Sequence, residues 1–240
     1  MKILITICAR GGSKGIPGKN IKNLCEKPLI YYTIRLAKQF KELYDDVKII
    51  LSSDSNKIID VASSFGLNSK YIRPKAFSGD TIGKIEAIKD VLAWQENLSN
   101  SKFDYILDLD VTSPLRNIED LKNAFEKIKA NHSCVNLFSV SKANRNPYFN
   151  MVEKKSDGFF SQVKKPLKNI YTRQSVPEVY DLNASFYFYK RSFFDLGYKS
   201  AITDKSIIYF IPHICFDLDS SIDFEFIEFL MEKNKLDFNL

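Results

Sequence analysis

Apolar positions follow two alternating patterns along the first 140 residues of the chain. Short, almost continuously apolar runs predict buried β-strands, and segments with apolar side chains every three or four residues predict helices. The predicted strands are residues 2–8, 47–52, 70–73, 105–109 and 134–140, and the predicted helices are residues 28–40, 55–65, 81–96 and 118–130. This alternation predicts an α/β fold with a mainly parallel sheet and helices on both faces. Ligands of such sheets bind at the carboxyl ends of the strands.

The pattern changes over residues 142–181, where Lys, Asn and Pro are frequent and strand-like pieces are short. We interpret this segment as an insertion that protrudes from the sheet. Strong strand patterns return at residues 183–189 and 207–211, and residues 221–234 predict a closing amphipathic helix. We therefore expect one domain, residues 1–240, that carries one protruding insertion, residues 142–181.

Composition restricts the class of protein and its partners. Hydrophobic residues make up 45% of the chain and charged residues 27%, as in ordinary globular proteins. Apolar runs stay shorter than the roughly 18 residues that span a bilayer, and the N-terminal run lacks a signal-peptide cleavage site. We therefore expect a cytoplasmic protein without membrane contact. The net charge of +6 comes from Lys and Arg scattered among acidic residues, which favours small anionic substrates over nucleic acid.

The cysteines and histidines are not expected to form a metal site or disulfide bonds. The four cysteines form no CxxC pair and the two histidines stand apart, so neither a zinc site nor a disulfide framework is predicted.

The loop after the first predicted strand, ARGGSKGIPGKN at residues 9–20, has the composition of a phosphate-binding site. Its four glycines allow backbone N–H groups to approach a ligand and to form an anion-binding nest. Arg10, Lys14 and Lys19 add positive charge, and Ser13 and Asn20 add hydrogen-bonding side chains. Neither the P-loop nor the GxGxxG pattern is present. A loop of this kind suits a triphosphate, with a flexible, solvated loop as the alternative.

Two carboxylates near the C-terminus, Asp217 and Asp219, stand at positions i and i+2 of an extended segment. They therefore point in the same direction, an arrangement suited to Mg²⁺ held by carboxylates together with substrate phosphates. Asp219 has an alternative role as the N-cap of the following helix, or as the residue before that cap.

The run ARGGSKGIPGKNIKNL, followed by KPLIYYTI, resembles the signature of the acylneuraminate cytidylyltransferases. These enzymes attach CMP to sialic acids and to relatives such as legionaminic acid. The resemblance continues through LSSDS, RP, GDT, TSPLR and RQ to the DLD segment, and so covers most of the chain. It implies a Rossmann-like nucleotidyltransferase fold and a homodimer that uses the 142–181 insertion. It also implies Mg²⁺-dependent transfer of CMP from CTP to the 2-hydroxyl of a nine-carbon acidic sugar.

The resemblance assigns roles to individual residues. The implied nucleotide-binding residues are Arg10, Gly12, Ser13, Lys19, Asn20, Arg73, Ser78 and Gly79. The implied sugar-binding residues are Asp110, Arg173, Gln174, Asn183 and Tyr187. The metal ligands are Asp217 and Asp219, and the residues expected to act in catalysis are Arg10, Lys19 and Asp219.

One departure from the family pattern concerns the sugar. Asp110-Val111 stands where sialic acid enzymes usually have Gln-Pro, with the Gln in contact with the sugar. A carboxylate there repels an anionic sugar unless it binds metal, binds an amine or amide of the sugar, or is protonated. We therefore expect a legionaminic-type substrate, with N-acetylneuraminic acid, pseudaminic acid or KDO as alternatives. A non-catalytic nucleotide-binding protein of the same fold is the other alternative.

Overall fold

The structure, a computed structural model, describes residues 1–12, 15–79, 82–165 and 175–240. Within these ranges the strands are β1 (Lys2–Cys8), β2 (Asn23–Leu24), β3 (Lys27–Pro28), β4 (Asp46–Ser52), β5 (Tyr105–Asp110), β6 (Asn136–Lys142), β7 (Val152–Lys154), β8 (Phe160–Gln162), β9 (Tyr180–Lys190) and β10 (Ser206–Phe210). The α-helices are α1 (Leu29–Glu42), α2 (Asn56–Ser64), α3 (Lys84–Ser99), α4 (Ile118–Ala130), α5 (Arg191–Asp195) and α6 (Ser221–Glu232). Short 3-10 helices occupy Lys19–Ile21 and Lys75–Phe77.

The central sheet has six strands in the order β10-β6-β9-β5-β1-β4. Strand β1 is parallel to both β4 and β5, and β6 is parallel to β10. Strand β9 is antiparallel to both of its neighbours, β5 and β6. The predicted mainly parallel sheet is confirmed, with β9 as the exception. Strand β9 starts beside the end of β6, where Tyr180 pairs with Lys142, so the chain returns from the insertion next to the point where it left the sheet.

Helices cover both faces of the sheet, as predicted. Alternate residues of β1 point to opposite faces, so that Ile3 and Ile5 belong to one buried cluster and Leu4 to the other. The first cluster contains residues of α1, α2, α4 and α6, and the second contains residues of α3 and α5. No helix in the described ranges is long and apolar enough to cross a membrane.

Two predicted elements differ in the structure. Residues 70–73 were predicted to form a strand, but they are not one: the segment is attached to the end of β4 by the Arg73 N–H, which donates to the Ser53 carbonyl at 2.9 Å. The following Pro74 has no N–H with which to continue a ladder. The helix predicted from residue 81 begins at Lys84 with Gly83 at its N-cap. Residue 81, the first residue of the predicted helix, lies outside the described residues.

The described part of the 142–181 insertion contains a separate antiparallel sheet of two strands, β7 and β8. Val152, Phe159 and Phe160 are exposed on it. The division of the chain into one domain and a protruding insertion stays a prediction.

His213 connects α4 to the C-terminal segment. Its Nε2 lies 2.9 Å from Asp120 Oδ2, and its ring stacks on Phe238 with ring centroids 3.7 Å apart. Burial alone would lower the pKa of His213, but the hydrogen bonds to Asp120 and to the Ile214 carbonyl raise it above the usual value. The folded state therefore holds this proton more tightly than the unfolded chain does. The resulting stabilisation is complete below the unfolded pKa of about 6.5 and is lost as pH rises through the folded pKa.

We expect His213→Gln to lower the free energy of unfolding at pH 6 by on the order of 1 kcal/mol, and by less at pH 8.5. Glutamine retains a neutral donor for Asp120 but cannot carry the charge. Urea unfolding at the two pH values measures the difference, and His132→Gln is the matched control because His132 is exposed. An equal loss at both pH values would contradict the proposed charge dependence.

Candidate active site

A cavity of about 400 Å³ lies at the carboxyl ends of the parallel strands β1 and β5. The predicted residues that line it are Arg10, Lys19, Asn20, Arg73, Gly79, Asp110 and Asp219. The lining formed by described residues does not include Gly12, Ser78, Asn183, Tyr187 or Asp217. Ser13, Arg173 and Gln174 lie outside the described residues. Residues separated by more than 200 positions in sequence therefore meet at the edge of the sheet where ligand binding was expected.

The loop after β1 folds back on itself. The Asn20 side chain, almost completely buried, donates from Nδ2 to the Arg10 carbonyl at 2.9 Å. The Gly11 N–H donates to Asp54 Oδ1 at 2.8 Å, and Gly18 has a left-handed backbone with φ of 65°. The amide group of Asn20 therefore holds the loop in shape, and its predicted contact with the nucleotide stays a prediction.

The loop also packs against the segment that carries the paired carboxylates. A Cβ atom on Gly15 would lie 2.5 Å from the Asp219 carbonyl oxygen, so this close approach requires glycine. Lys19 Nζ donates to the Leu218 carbonyl at 2.5 Å and lies 3.3 Å from Asp219 Oδ1. The Leu218 N–H donates to the Thr112 carbonyl just beyond β5 at 2.7 Å. These contacts join the loop, β5 and the carboxylate pair into one structural unit.

The carboxylates of Asp217 and Asp219 are not engaged in capping α6. Ser220 is the N-cap, and it forms a capping box with Asp223. Asp219 is therefore the residue before the cap, and its side chain is 76% exposed. Burial raises the pKa of Asp217 above its usual value, and the neighbouring charge of Asp219 raises it further.

This pair fits a magnesium ion. A raised carboxyl pKa beside a second carboxylate marks negative charge that the protein only partly neutralises, and a bound cation would relieve it. Within the described ranges, no three His, Cys, Asp or Glu side chains form a metal-binding group. Mg²⁺ is commonly held by one or two carboxylates, with substrate phosphates and water supplying its other ligands.

Arg73 is held at the end of β4. Its Nε donates to Ser52 Oγ and its Nη2 to the Ser52 carbonyl, both at 2.9 Å, and the residue is 7% exposed. A guanidinium anchored in this way presents a fixed edge to the cavity. Ser78 Oγ donates to the Pro74 carbonyl at 3.2 Å and supports the turn before Gly79.

Asp110 has a partner that the sequence did not suggest. Its Oδ2 lies 2.7 Å from Lys84 Nζ, and its Oδ1 accepts from the N–H and the hydroxyl of Thr112, both at 2.9 Å. Burial alone would raise the pKa of Asp110, but Lys84 and Thr112 lower it overall. The carboxyl is therefore ionised at neutral pH, which argues against the protonated form considered above.

Lys84 was missed because nothing in the local sequence links it to Asp110, 26 positions away. One signal was available. A lysine in the first turn of a predicted helix is unfavourable beside the helix dipole, so it suggests an acidic partner elsewhere.

Asn183 and Tyr187 are not part of the described cavity lining. Tyr187 faces Lys84, whose Nζ lies 5.1 Å from the centre of its ring. Asn183 Oδ1 accepts from Ser139 Oγ at 2.6 Å, and its Nδ2 donates to Ser141 Oγ at 2.9 Å. Asn183 thus joins β9 to β6 beside the irregularity in their register. The predicted sugar contacts of both residues stay predictions.

Arg116, the last residue of the TSPLR block, is a buried organiser of the site. It is 2% exposed, and its guanidinium donates to the carbonyls of Asp110, Ser113 and Ser185 and to the Thr33 hydroxyl. Its contact with the Asp110 carbonyl lies at the carboxyl end of β5, so Arg116 holds in place a residue that lines the cavity.

The cavity at the strand ends is lined by a glycine-rich loop, basic side chains and the carboxylate of Asp219. These features are typical of a nucleotide-binding α/β protein. Comparisons with known proteins make this class more specific. Residues 4–238 match the family described as cytidylyltransferase. The chain is 40% identical over 237 residues to the post-translational flagellin modification protein B of Campylobacter coli. The aligned region spans 98% of this chain and 97% of that protein. The chain is 37% identical over 237 residues to a CMP-N,N'-diacetyllegionaminic acid synthase of Campylobacter jejuni, with the same coverage.

A solved structure shares the fold. The structure of a CMP:2-keto-3-deoxy-manno-octonic acid synthetase complexed with CTP matches 98% of this chain and 100% of that chain with a TM-score of 0.68 at 15% identity. The chain belongs to the cytidylyltransferase family and is a nucleotidyltransferase. The resemblance to acylneuraminate cytidylyltransferases is thereby confirmed.

Proposed function

We propose that the protein transfers CMP from CTP to the 2-hydroxyl of a nonulosonic acid of the legionaminic type and releases pyrophosphate. The observation that carries this proposal is the junction of the glycine-rich loop with the carboxylate pair, where Lys19 Nζ lies 3.3 Å from Asp219 Oδ1. Groups suited to phosphate, Arg10 and Lys19, thus line the same cavity as Asp219, one of the two carboxylates suited to a divalent cation.

The nucleotide end of the cavity is built to hold a triphosphate. Arg10, Lys19 and the backbone of the loop would bind the phosphates, and the fixed edge of Arg73, with the backbone at Gly79, would contact the cytosine. Catalysis then depends mainly on orienting the sugar hydroxyl toward the α-phosphorus and on neutralising negative charge. Asp217 and Asp219 would hold Mg²⁺, which when bound lowers the energy of charge developing on the phosphates.

The sugar end of the cavity contains Asp110 in its ionised, lysine-paired form. A carboxylate in this state accepts hydrogen bonds and donates none, so it suits a sugar that presents N–H or O–H groups. The name of the Campylobacter jejuni relative, a synthase for a sugar with two acetamido groups, supports the legionaminic type.

Turnover with a substrate panel tests this proposal. The protein is incubated with CTP, Mg²⁺ and, separately, N,N'-diacetyllegionaminic, N-acetylneuraminic, pseudaminic and KDO acids, and both pyrophosphate and CMP-sugar are measured. We expect the highest kcat/KM with the legionaminic acid. A preference for another acid would reassign the substrate, and CTP binding without turnover would favour a non-catalytic nucleotide-binding protein.

We also propose that the protein is a cytoplasmic homodimer. The support for a dimer is a concavity of about 930 Å³ at the base of the insertion, between Lys142 and Tyr180, with the exposed ring of Phe210 beside it. The cytoplasm is where CTP is available. Light scattering should give about twice the chain mass of 27.7 kDa, and a monomeric mass would contradict the dimer.

A further inference from the structure

Lys84 lies between two carboxylates at the sugar end of the cavity. Its Nζ is 2.6 Å from Asp108 Oδ2 and 2.7 Å from Asp110 Oδ2. The Asp108 side chain is completely buried, the Asp110 side chain is 19% exposed and the Lys84 side chain is 32% exposed. Of these three, Lys84 and Asp110 line the cavity. The group therefore connects the interior of the sheet with the substrate space.

The position of Lys84 is unfavourable for the helix that carries it. Lys84 is the first residue of α3, where the partial positive charge of the helix N-terminus disfavours a cation. Burial alone would also lower its pKa, but Asp108 and Asp110 hold that pKa well above the usual value. The two carboxylates therefore keep the ammonium charged. Their attraction to the ammonium is what offsets its burial and its unfavourable place at the helix N-terminus.

The remaining bonds leave Asp110 with limited capacity for further contacts. Thr112 already donates twice to its Oδ1, and Lys84 donates to its Oδ2. Asp108 Oδ1 accepts from Thr6 Oγ1 at 2.7 Å. The Lys84 Nζ lies over the Tyr187 ring, 5.1 Å from the ring centre. A carboxylate oxygen has room for about two hydrogen bonds, so Oδ2 of Asp110, a residue of the cavity lining, retains one acceptor position.

We propose that Lys84 is the positioning residue that allows this cavity to accept an acidic sugar beside Asp110. It neutralises that carboxylate and fixes its direction, so that Asp110 offers one acceptor to an N–H or O–H donor of the sugar. The proposal rests on the proposed transfer of CMP to an acidic sugar.

Lys84→Met tests this role. Methionine has a similar length but no charge, so Asp108 and Asp110 would lose their shared cation and repel the carboxylate of the sugar. We expect the KM for the acidic sugar to rise by about tenfold or more, and the KM for CTP and kcat to change by less than about threefold. Lys84→Arg, which keeps the charge, should stay within about threefold of the wild-type sugar KM.

A second substitution at Asp110 provides the compensation test. In the Lys84→Met, Asp110→Asn double variant, the uncompensated charge at the cavity wall is removed, so the sugar KM should fall at least about threefold below that of Lys84→Met. Lys89→Met is the matched control, because Lys89 is an exposed lysine on the same helix. Its kinetics should equal those of the wild type.

The outcomes separate this proposal from the proposed function. If the wild type forms CMP-sugar but Lys84→Met keeps the wild-type sugar KM, Lys84 is not the positioning residue. The same conclusion follows if Lys84→Met raises both KM values equally and Asp110→Asn gives no compensation, because that pattern indicates a general structural role. If the wild type forms no CMP-sugar from any acid, the proposed function is wrong, and the proposed role of Lys84 is wrong as well.

Lys84→Met could fail to fold, and then Lys84→Arg and the double variant supply the comparison. A sugar KM more than about tenfold above wild type in Lys84→Arg overturns the proposal.

Discussion

Asp219→Asn is expected to reduce CMP-sugar formation by about 10²-fold to 10³-fold while the protein remains folded. The substitution removes one of the two carboxylates proposed to hold Mg²⁺ and leaves the shape of the side chain unchanged. The fold should tolerate it because the Asp219 side chain is 76% exposed and does not cap α6, whose N-cap is Ser220. Pyrophosphate release measured at increasing Mg²⁺ concentrations tests the prediction, and the variant should need more Mg²⁺ than the wild type.

Glu225→Gln is the matched control for this experiment. It removes one negative charge from an exposed position on the same helix, α6, and should leave turnover and its Mg²⁺ dependence unchanged. If Asp219→Asn retains wild-type turnover at every Mg²⁺ concentration, the metal assignment is wrong.

Arg116→Met is expected to lower the free energy of unfolding by about 3–5 kcal/mol. Arg116 is 2% exposed, and its guanidinium donates to three carbonyls, those of Asp110, Ser113 and Ser185. Methionine would remove a charged donor from each of these buried carbonyls, although Asp110 and Ser113 each keep a hydroxyl donor, from Thr33 and Ser185. A buried acceptor that loses its donor costs about 1–3 kcal/mol, and a broken buried charge network costs about 3–5 kcal/mol. Burial lowers the pKa of Arg116 to about 10, so the side chain that is lost is a charged one at neutral pH. Urea unfolding followed by circular dichroism measures the difference.

Two further substitutions make the Arg116 experiment specific. Arg145→Met removes an exposed arginine and should change the free energy of unfolding by no more than about 0.5 kcal/mol. Arg116→Lys keeps the charge but loses the planar fork that reaches several carbonyls at once, so its loss should be intermediate. A loss below about 1 kcal/mol for Arg116→Met would contradict the organising role.

The helices and the parallel strands of the fold could be predicted because their side-chain patterns are local. A run such as KILITIC in β1 is apolar on both faces, as a central parallel strand must be. The antiparallel direction of β9 could not be predicted in this way, since a strand pattern carries no information about the direction of its neighbours. It follows from the path of the insertion, which returns the chain beside the end of β6.

Some features of the candidate site could likewise be predicted from the sequence, and others could not. The loop and the Asp217–Asp219 pair were recognised because each is a short motif whose chemistry follows from spacing. The phosphate contact assigned to Asn20 stays a prediction, but the bond from its Nδ2 to the Arg10 carbonyl, which holds the loop, could not be predicted. Which of its neighbours an amide group binds depends on how the loop folds, and composition does not reveal that.

By itself, the sequence determined the class of fold and membership of the cytidylyltransferase family, and it located the glycine-rich loop and the carboxylate pair. Only the tertiary structure decided that Asp110 is ionised and paired with Lys84, and that Arg116 holds the end of β5. The physical reason is that charge compensation depends on distances of about 3 Å between residues that are remote along the chain. Such distances are set by the packing of α3 and β9 around β5, which no local pattern encodes.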